Sequence, residues 1–165
     1  PICLASLVLR YRIKIGGNRM IGLILTGHGE FAVGVGHALE MIAGKQTAYK
    51  VVPFLESDPI ETLENNLRDA MKELQEETEG IVVFADLLGG SPFKSAMVAS
   101  MDFDNVEVVV GTNLPMLIEI AMLREFASSA QDVVTQSLTA GREAIQQVSL
   151  PTPQDKVVEE DGDGI

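Results

Sequence analysis

Apolar residues fall into short unbroken runs separated by longer segments in which they recur every three or four positions. Buried strands alternating with amphipathic helices are the pattern this predicts. Residues 21–25, Ile-Gly-Leu-Ile-Leu, read as a buried strand, and Phe31, Val35, Ala38, Leu39 and Ile42 predict a helix over 31–43 that Gly44 stops. Residues 49–55 read as a second strand. Asp58-Pro59 supplies a capping residue and a first-turn proline for a second helix, whose apolar positions Leu63, Leu67, Ala70, Met71 and Leu74 run on towards Gly80. Residues 81–85 form a third, wholly apolar strand, and Ser91-Pro92 opens a third helix ending near Ser100. A fourth strand is predicted over 106–110, a fourth helix over 115–126, and a last helix over 129–147 that Gly141 interrupts.

Strands apolar on both faces and separated by helices call for an α/β fold: an open, mainly parallel sheet with helices on both faces. In such sheets chemistry gathers at the carboxyl ends of the strands, near the switch in strand order. The loops after strands one, three and four, 26–30, 86–91 and 111–113, are therefore expected to converge. The first carries His28 between Gly27 and Gly29, where no bulky sequence neighbour shields the ring from a small substrate or another macromolecule. The second, Asp86-Leu87-Leu88-Gly89-Gly90-Ser91-Pro92-Phe93, has the parts of an anion-binding turn. It offers an acid at a strand end, two glycines for close backbone approach, and free N–H groups at the start of a helix.

Asp86 is expected to face His28. A carboxylate that accepts from one ring nitrogen fixes the tautomer, leaves the other lone pair free to attack, and stabilises the cation that results. No metal or cofactor is required for such chemistry. Blander readings stand beside these. Capping explains Ser91 completely, Asp86 is otherwise a loop acid in want of a partner, and Thr26 either packs or bonds within the site. His37, off the apolar stripe, is expected to face solvent, and Met41, Met71 and Met97 read as core.

Composition narrows the class. With 165 residues, 46% of them apolar, the chain suits one domain. Its formal charge of −12 argues against a nucleic-acid surface and against anionic lipid, and favours a partner with a basic face. The single cysteine, Cys3, excludes a disulfide framework and suits a reducing, cytoplasmic setting. Residues 1–19 hold Arg10, Arg12, Lys14 and Arg19, no acid, and an apolar run that precedes the charges. They match neither a secretory signal nor a membrane span, and are expected to be an extension outside the fold or, as a lesser alternative, an added edge strand. The folded domain is expected over 20–150, and 151–165 is expected to be an acidic flexible tail.

Three segments in order, Thr26-Gly27-His28-Gly29, Asp86 with Gly89-Gly90-Ser91-Pro92-Phe93, and Gly111-Thr112-Asn113-Leu114-Pro115-Met116, make residues 20–148 resemble the IIA domain of the mannose-class sugar phosphotransferase system, whose substrates include mannose, fructose, sorbose and N-acetylgalactosamine. The resemblance implies a cytoplasmic phosphocarrier. His28 would take a phosphoryl group from the histidine carrier protein HPr and pass it to a histidine or cysteine of a IIB component, with the membrane IIC and IID components engaged only indirectly. It also implies that Asp86 orients His28, that Gly90, Ser91 and Thr26 contact the phosphate, and that Phe31 and Met116 flank the site where a partner docks. Homodimers are typical of the family, some exchanging a C-terminal strand, for which 145–150 is the candidate segment. The competing reading is a dinucleotide site, because Gly27-His28-Gly29-Glu30-Phe31-Ala32 fits G-x-G-x-x-A, although no acid stands clearly at the second strand's end. A non-catalytic regulatory module on the same fold is a further alternative.

Overall fold

A computed structural model describes residues 20–150. The expected extension over 1–19 and acidic tail over 151–165 lie outside the described residues. The elements alternate in the predicted order: β1 (Gly22–His28), α1 (Phe31–Ala43), β2 (Tyr49–Phe54), α2 (Ile60–Gln75), β3 (Ile81–Phe84), α3 (Ser91–Ser100), β4 (Val106–Val109), α4 (Leu114–Leu123) and α5 (Ala130–Glu143). The four strands pair in the order β2-β1-β3-β4, all parallel. The chain steps from β1 outward to β2, then crosses back to β3 on the other side of β1. The switch point therefore lies between β1 and β3, and a crevice opens at their carboxyl ends.

The alternation of side chains along β1 divides the core in two. Leu23 and Leu25 pack on one face with Ala32 and Leu39 of α1, Met116, Leu117 and Ile120 of α4, and Val133 of α5. Ile24 packs on the other face with Leu63, Leu67, Met71 and Leu74 of α2 and with Ala96 and Ala99 of α3. Both faces are thus covered, as strands without a polar side require.

Several predicted boundaries shift, each for a local reason. β1 continues past Leu25 to His28, because its ladder with β2 holds through Gly27↔Pro53 and His28↔Phe54. Asp58 does not cap α2. Pro59 occupies that position, while the Asp58 carboxylate accepts from the Leu55 N–H at 3.0 Å. The same helix ends at Gln75 rather than near Gly80, since the Thr78 hydroxyl and N–H both take the Leu74 carbonyl. Helix α4 begins at Leu114 because the Asn113 side chain caps it, and it ends at Leu123. Helix α5 closes at Glu143, and Gly141 does not interrupt it. A methyl group there would come within 2.6 Å of the Met116 thioether methyl and 3.1 Å of Asn113 Nδ2, so the glycine lets α5 lie close against the start of α4.

Burial sorts the methionines. Met71 is core, whereas Met41 and Met97, also expected inside, sit on the outward faces of α1 and α3 and are exposed. At the amino-terminal end of the sheet the buried Arg124 guanidinium donates to the carbonyls of Ile21, Ala48 and Thr47 and to Gln46 Oε1, joining the approaches to β1 and β2. A cation buried in this way requires such acceptors.

Candidate functional site

His28 ends β1 and Asp86 follows β3, so the two side chains stand on opposite sides of the switch point. The Nδ1–H of the ring donates to Asp86 Oδ2 at 2.7 Å, and the His28 backbone N–H donates to the same oxygen at 2.8 Å. Asp86 Oδ1 accepts from the Leu87 N–H at 2.8 Å. An ionised carboxylate accepts only, so Nδ1 carries the ring proton and Nε2 keeps its lone pair. Burial, the largest influence on the Asp86 carboxyl, pushes its pKa up, but the bonds from His28 and Leu87 and the attraction of the ring outweigh it and leave the pKa lowered. The acid is 10% exposed and the imidazole 45%, so the pair is anchored at its base and open at its tip.

Two glycines make the arrangement possible. Gly29 adopts φ +55°, a left-handed turn that lets the chain leave β1 and enter α1 without a clash. Its N–H donates to the Phe54 carbonyl at 2.8 Å, tying the turn to the end of β2. Gly90 matters for space instead, since a methyl group there would lie 2.7 Å from His28 Cε1 and 3.5 Å from Nε2. The start of α3 therefore rests close to the Cε1–Nε2 part of the ring, where the free lone pair lies. Gly90 is the N-cap, Pro92 lacks an N–H, and the N–H groups of Ser91 and Phe93 have no hydrogen-bond partner among the described residues. These donors, with the positive end of the helix dipole, are of the kind that can receive an anion beside Nε2.

The other expected residues fall differently. Ser91 lies in this first turn, but as the first helical residue rather than the cap, and its hydroxyl makes no capping bond. Thr26 sits two residues before His28, wholly buried, with no partner for its hydroxyl. A bond from it to a phosphoryl group at the surface would require the overlying turn to move. Phe31 is half-buried and packs across Gly27, where an added methyl would meet its ring at 2.6 Å. Met116, expected beside the site as a docking residue, is only 3% exposed and belongs to the core. Asn113 accepts from the Met116 N–H and donates to the Gly141 carbonyl, which turns this segment inward against α5. The loop after β4 still supports the site from below, because Gly111 N–H donates to the Asp86 carbonyl and Thr112 donates twice to that of Ala85.

Two features were not anticipated. The ring of Phe54 meets the imidazole edge-on, centroids 6.0 Å apart at 66°. The exposed apolar side chains of Leu55, Leu87 and Leu88, the last 72% exposed, stand next in sequence to Phe54 and Asp86. A cleft of about 240 Å³ lined by Ile21, Glu79, Asn105 and Glu107 opens at the opposite end of the sheet, whereas His28 occupies an open rim. The dinucleotide reading fails on hydrogen bonding: the N–H groups of His28 and Gly29, which would have to cradle a pyrophosphate, are taken by Asp86 and Phe54.

Comparison with known proteins converges on one group. Residues 22–138 match the EIIA-man family, described as the PTS (phosphotransferase system) fructose IIA component. The fructose-specific EIIA component of Bacillus subtilis (strain 168) is 33% identical over 106 residues, which cover 64% of this chain and 72% of that one. The mannose-specific EIIAB component of Escherichia coli (strain K12) is 30% identical over 126 residues, 76% of this chain but only 39% of that longer protein. Among solved structures, the mannose/sorbose-specific IIA subunit from Enterococcus faecalis superimposes with a TM-score of 0.73 at 28% identity, covering 81% of this chain and 98% of that one. The EIIA component from Streptococcus agalactiae does so with a TM-score of 0.67 at 31% identity, covering 78% and 97%.

Proposed function

The chain belongs to the mannose-class EIIA family, the phosphocarrier components of the sugar phosphotransferase system, and from that premise we propose that His28 is the residue that carries its phosphoryl group. The observation that carries this reading is the 2.7 Å bond from Nδ1–H to Asp86, which leaves Nε2 unprotonated against the start of α3. Nε2 attacks the phosphorus of phosphohistidine on HPr. As the new N–P bond forms, the bond to the donor imidazole breaks and that imidazole leaves with its electron pair. The cation produced on His28 is held by Asp86, and the phosphoryl oxygens accept from the Ser91 and Phe93 N–H groups. The reverse geometry delivers the group to a nucleophilic side chain of a IIB component, and sugar never touches this chain.

Two folded partners must reach one ring, which suits an open rim better than a pocket. Leu55, Leu87 and Leu88, with Phe31, are the proposed docking residues, Met116 being withdrawn into the core. The proposed setting is the cytoplasm. No helix among the described residues is long and apolar enough to cross a membrane.

The test is to relay phosphate from phosphoenolpyruvate through enzyme I and HPr onto uniformly ¹⁵N-labelled protein. The nitrogen spectrum should show phosphorus bonded to Nε2 of His28 with Nδ1 protonated. Phosphorus on Nδ1, or on no histidine, would overturn the assignment. We also propose a homodimer in which 145–150 pairs with the open edge of β4 in a second copy. Ile145, Val148 and Leu150 are 79%, 88% and 91% exposed, which leaves three large apolar side chains without cover. A chain truncated after Ala144 should sediment as a monomer where the full chain sediments as a dimer, and identical sedimentation would exclude this exchange.

A further inference from the structure

Under the site lie two hydroxyls that the phosphocarrier chemistry leaves unexplained. Thr26 Oγ1 and Ser95 Oγ are sealed from solvent, their residues 0% and 1% exposed, and neither has a hydrogen-bond partner among the described residues. Interior helical serines and threonines commonly spend the hydroxyl on a carbonyl one turn back. Thr135, Thr139 and Ser100 do this here, and Ser95 does not.

Strand parity and helix rise place the two residues at a similar level. Thr26 shares the face of β1 with His28 and Ile24, residues of equal parity along the strand. Ile24 packs with Ala96 and Ala99, so that face is the one α3 covers. At the top of this seam the His28 ring rests on Gly90. From there β1 descends about 3.3 Å per residue, placing Thr26 roughly 6.6 Å below His28. Helix α3 runs the opposite way at about 1.5 Å per residue, placing Ser95 roughly 7.5 Å below Gly90. By these rises the two residues fall at a similar depth on elements that pack against each other, below the contact between His28 and the start of α3, and the hydroxyls are not bonded to each other.

We propose that Thr26 and Ser95 are positioning residues that share one enclosed water across the β1–α3 seam, and thereby set the distance from His28 Nε2 to the anion-binding turn of α3. The inference deepens the phosphocarrier reading and rests on it. Each hydroxyl offers a donor and an acceptor, so a water between them finds the two polar partners it needs. The role follows from how the work is divided. The nucleophile rides on β1, whereas the N–H groups that receive the phosphoryl oxygens ride on α3. Below the site the seam is otherwise filled by Ile24, Ala96 and Ala99, whose apolar contacts are non-directional and permit small slides. A hydrogen-bonded bridge one layer down pins the register that in-line attack demands.

The test combines a readout in the unphosphorylated protein with the transfer rate. In the wild type, a long-lived water should give a nuclear Overhauser signal to the Thr26 methyl, and Ser95→Ala should abolish it. Second-order transfer from phosphorylated HPr should fall about ten-fold in Thr26→Val and in Ser95→Ala, the scale at which misplacement by a fraction of an ångström acts. The double variant should be no slower than the slower single, since both remove one bridge. Thr26→Ser, which keeps the hydroxyl, should restore most of the rate. Melting temperature confirms that each variant is folded, and a higher value in Ser95→Ala would mark an unbonded hydroxyl and count against the bridge. A wild-type transfer rate in Ser95→Ala, or the absence of the water signal in the wild type, overturns the proposal. Loss of the phosphoacceptor reading itself would show separately, as a wild-type protein that takes no phosphate on His28 whatever its water signal.

Discussion

Replacing His28 with alanine is expected to abolish phosphoryl acceptance from HPr while leaving the fold in place. The imidazole is 45% exposed and contributes one bond to Asp86 and one edge-on contact to Phe54. The bonds from the backbone N–H groups of residue 28 and Leu87 to Asp86 do not need the ring, so the carboxylate keeps two of its three donors. A half-exposed side chain with so few contacts changes stability by about 1 kcal/mol or less. The expected result is thus an unchanged circular dichroism spectrum and melting curve with no acid-labile, base-stable label. The sequence contains two histidines, and the other, His37, lies exposed on α1 away from the cradle. Label persisting in His28→Ala would assign the chemistry to His37 and remove His28 from the mechanism.

Asp86→Asn is expected to lower the phosphorylation equilibrium and the transfer rate by about ten-fold each. Asp86 spends Oδ2 on the ring and on the His28 N–H, and Oδ1 on the Leu87 N–H. Asparagine has one acceptor oxygen, and whichever way the amide turns, its NH₂ faces a donor. It also removes the charge that stabilises the imidazolium formed on attack, and a charge-assisted bond of this kind is worth about 1.5–3 kcal/mol, reduced here because the ring is half in solvent. The pH dependence has a defined sign. The Asp86 pKa is lowered by folding, so the stability its ionised form contributes is present above the ordinary carboxyl value of about 3.9 and is lost as pH falls through the lowered folded value. Wild type and Asp86→Asn should therefore differ at neutral pH and converge in strong acid. Equal equilibria and rates at pH 7 would mean that Asp86 is not the partner of His28.

The two residues named most readily from the chain, His28 and Asp86, lie where that reading expects them. The residues around them were harder to place. Met116 follows a strand-end loop and a proline exactly as a rim residue would, yet the Asn113 cap and the buried Gly141 draw it under α5. Leu87 and Leu88 read as ordinary loop positions, but the Asp86 bonds to His28 and Leu87 hold the turn so that both leucines face outward. Phe54 carried no signal at all, because its place beside the imidazole depends on β2 being the neighbour of β1, and strand order is not written in hydrophobic period.

By itself the sequence determined what local physics controls. Periodicity separated strands from helices, unbroken apolar runs required a sheet covered on both faces, and glycines on either side of a histidine marked a turn that leaves the ring accessible. Those properties depend on residues a few positions apart. Only the tertiary structure decided the order β2-β1-β3-β4, which brings His28 and Asp86 into contact and sets Gly90 against the ring. It also decided which polar groups are already satisfied: the N–H groups of His28 and Gly29 are taken and those of Ser91 and Phe93 are not. Hydrogen-bond satisfaction is a property of neighbours brought together from distant parts of the chain, 58 residues apart for His28 and Asp86. No window along the sequence contains both partners, so the competing dinucleotide turn after β1 could be set aside, and the turn at the start of α3 kept, only when the strands were in place.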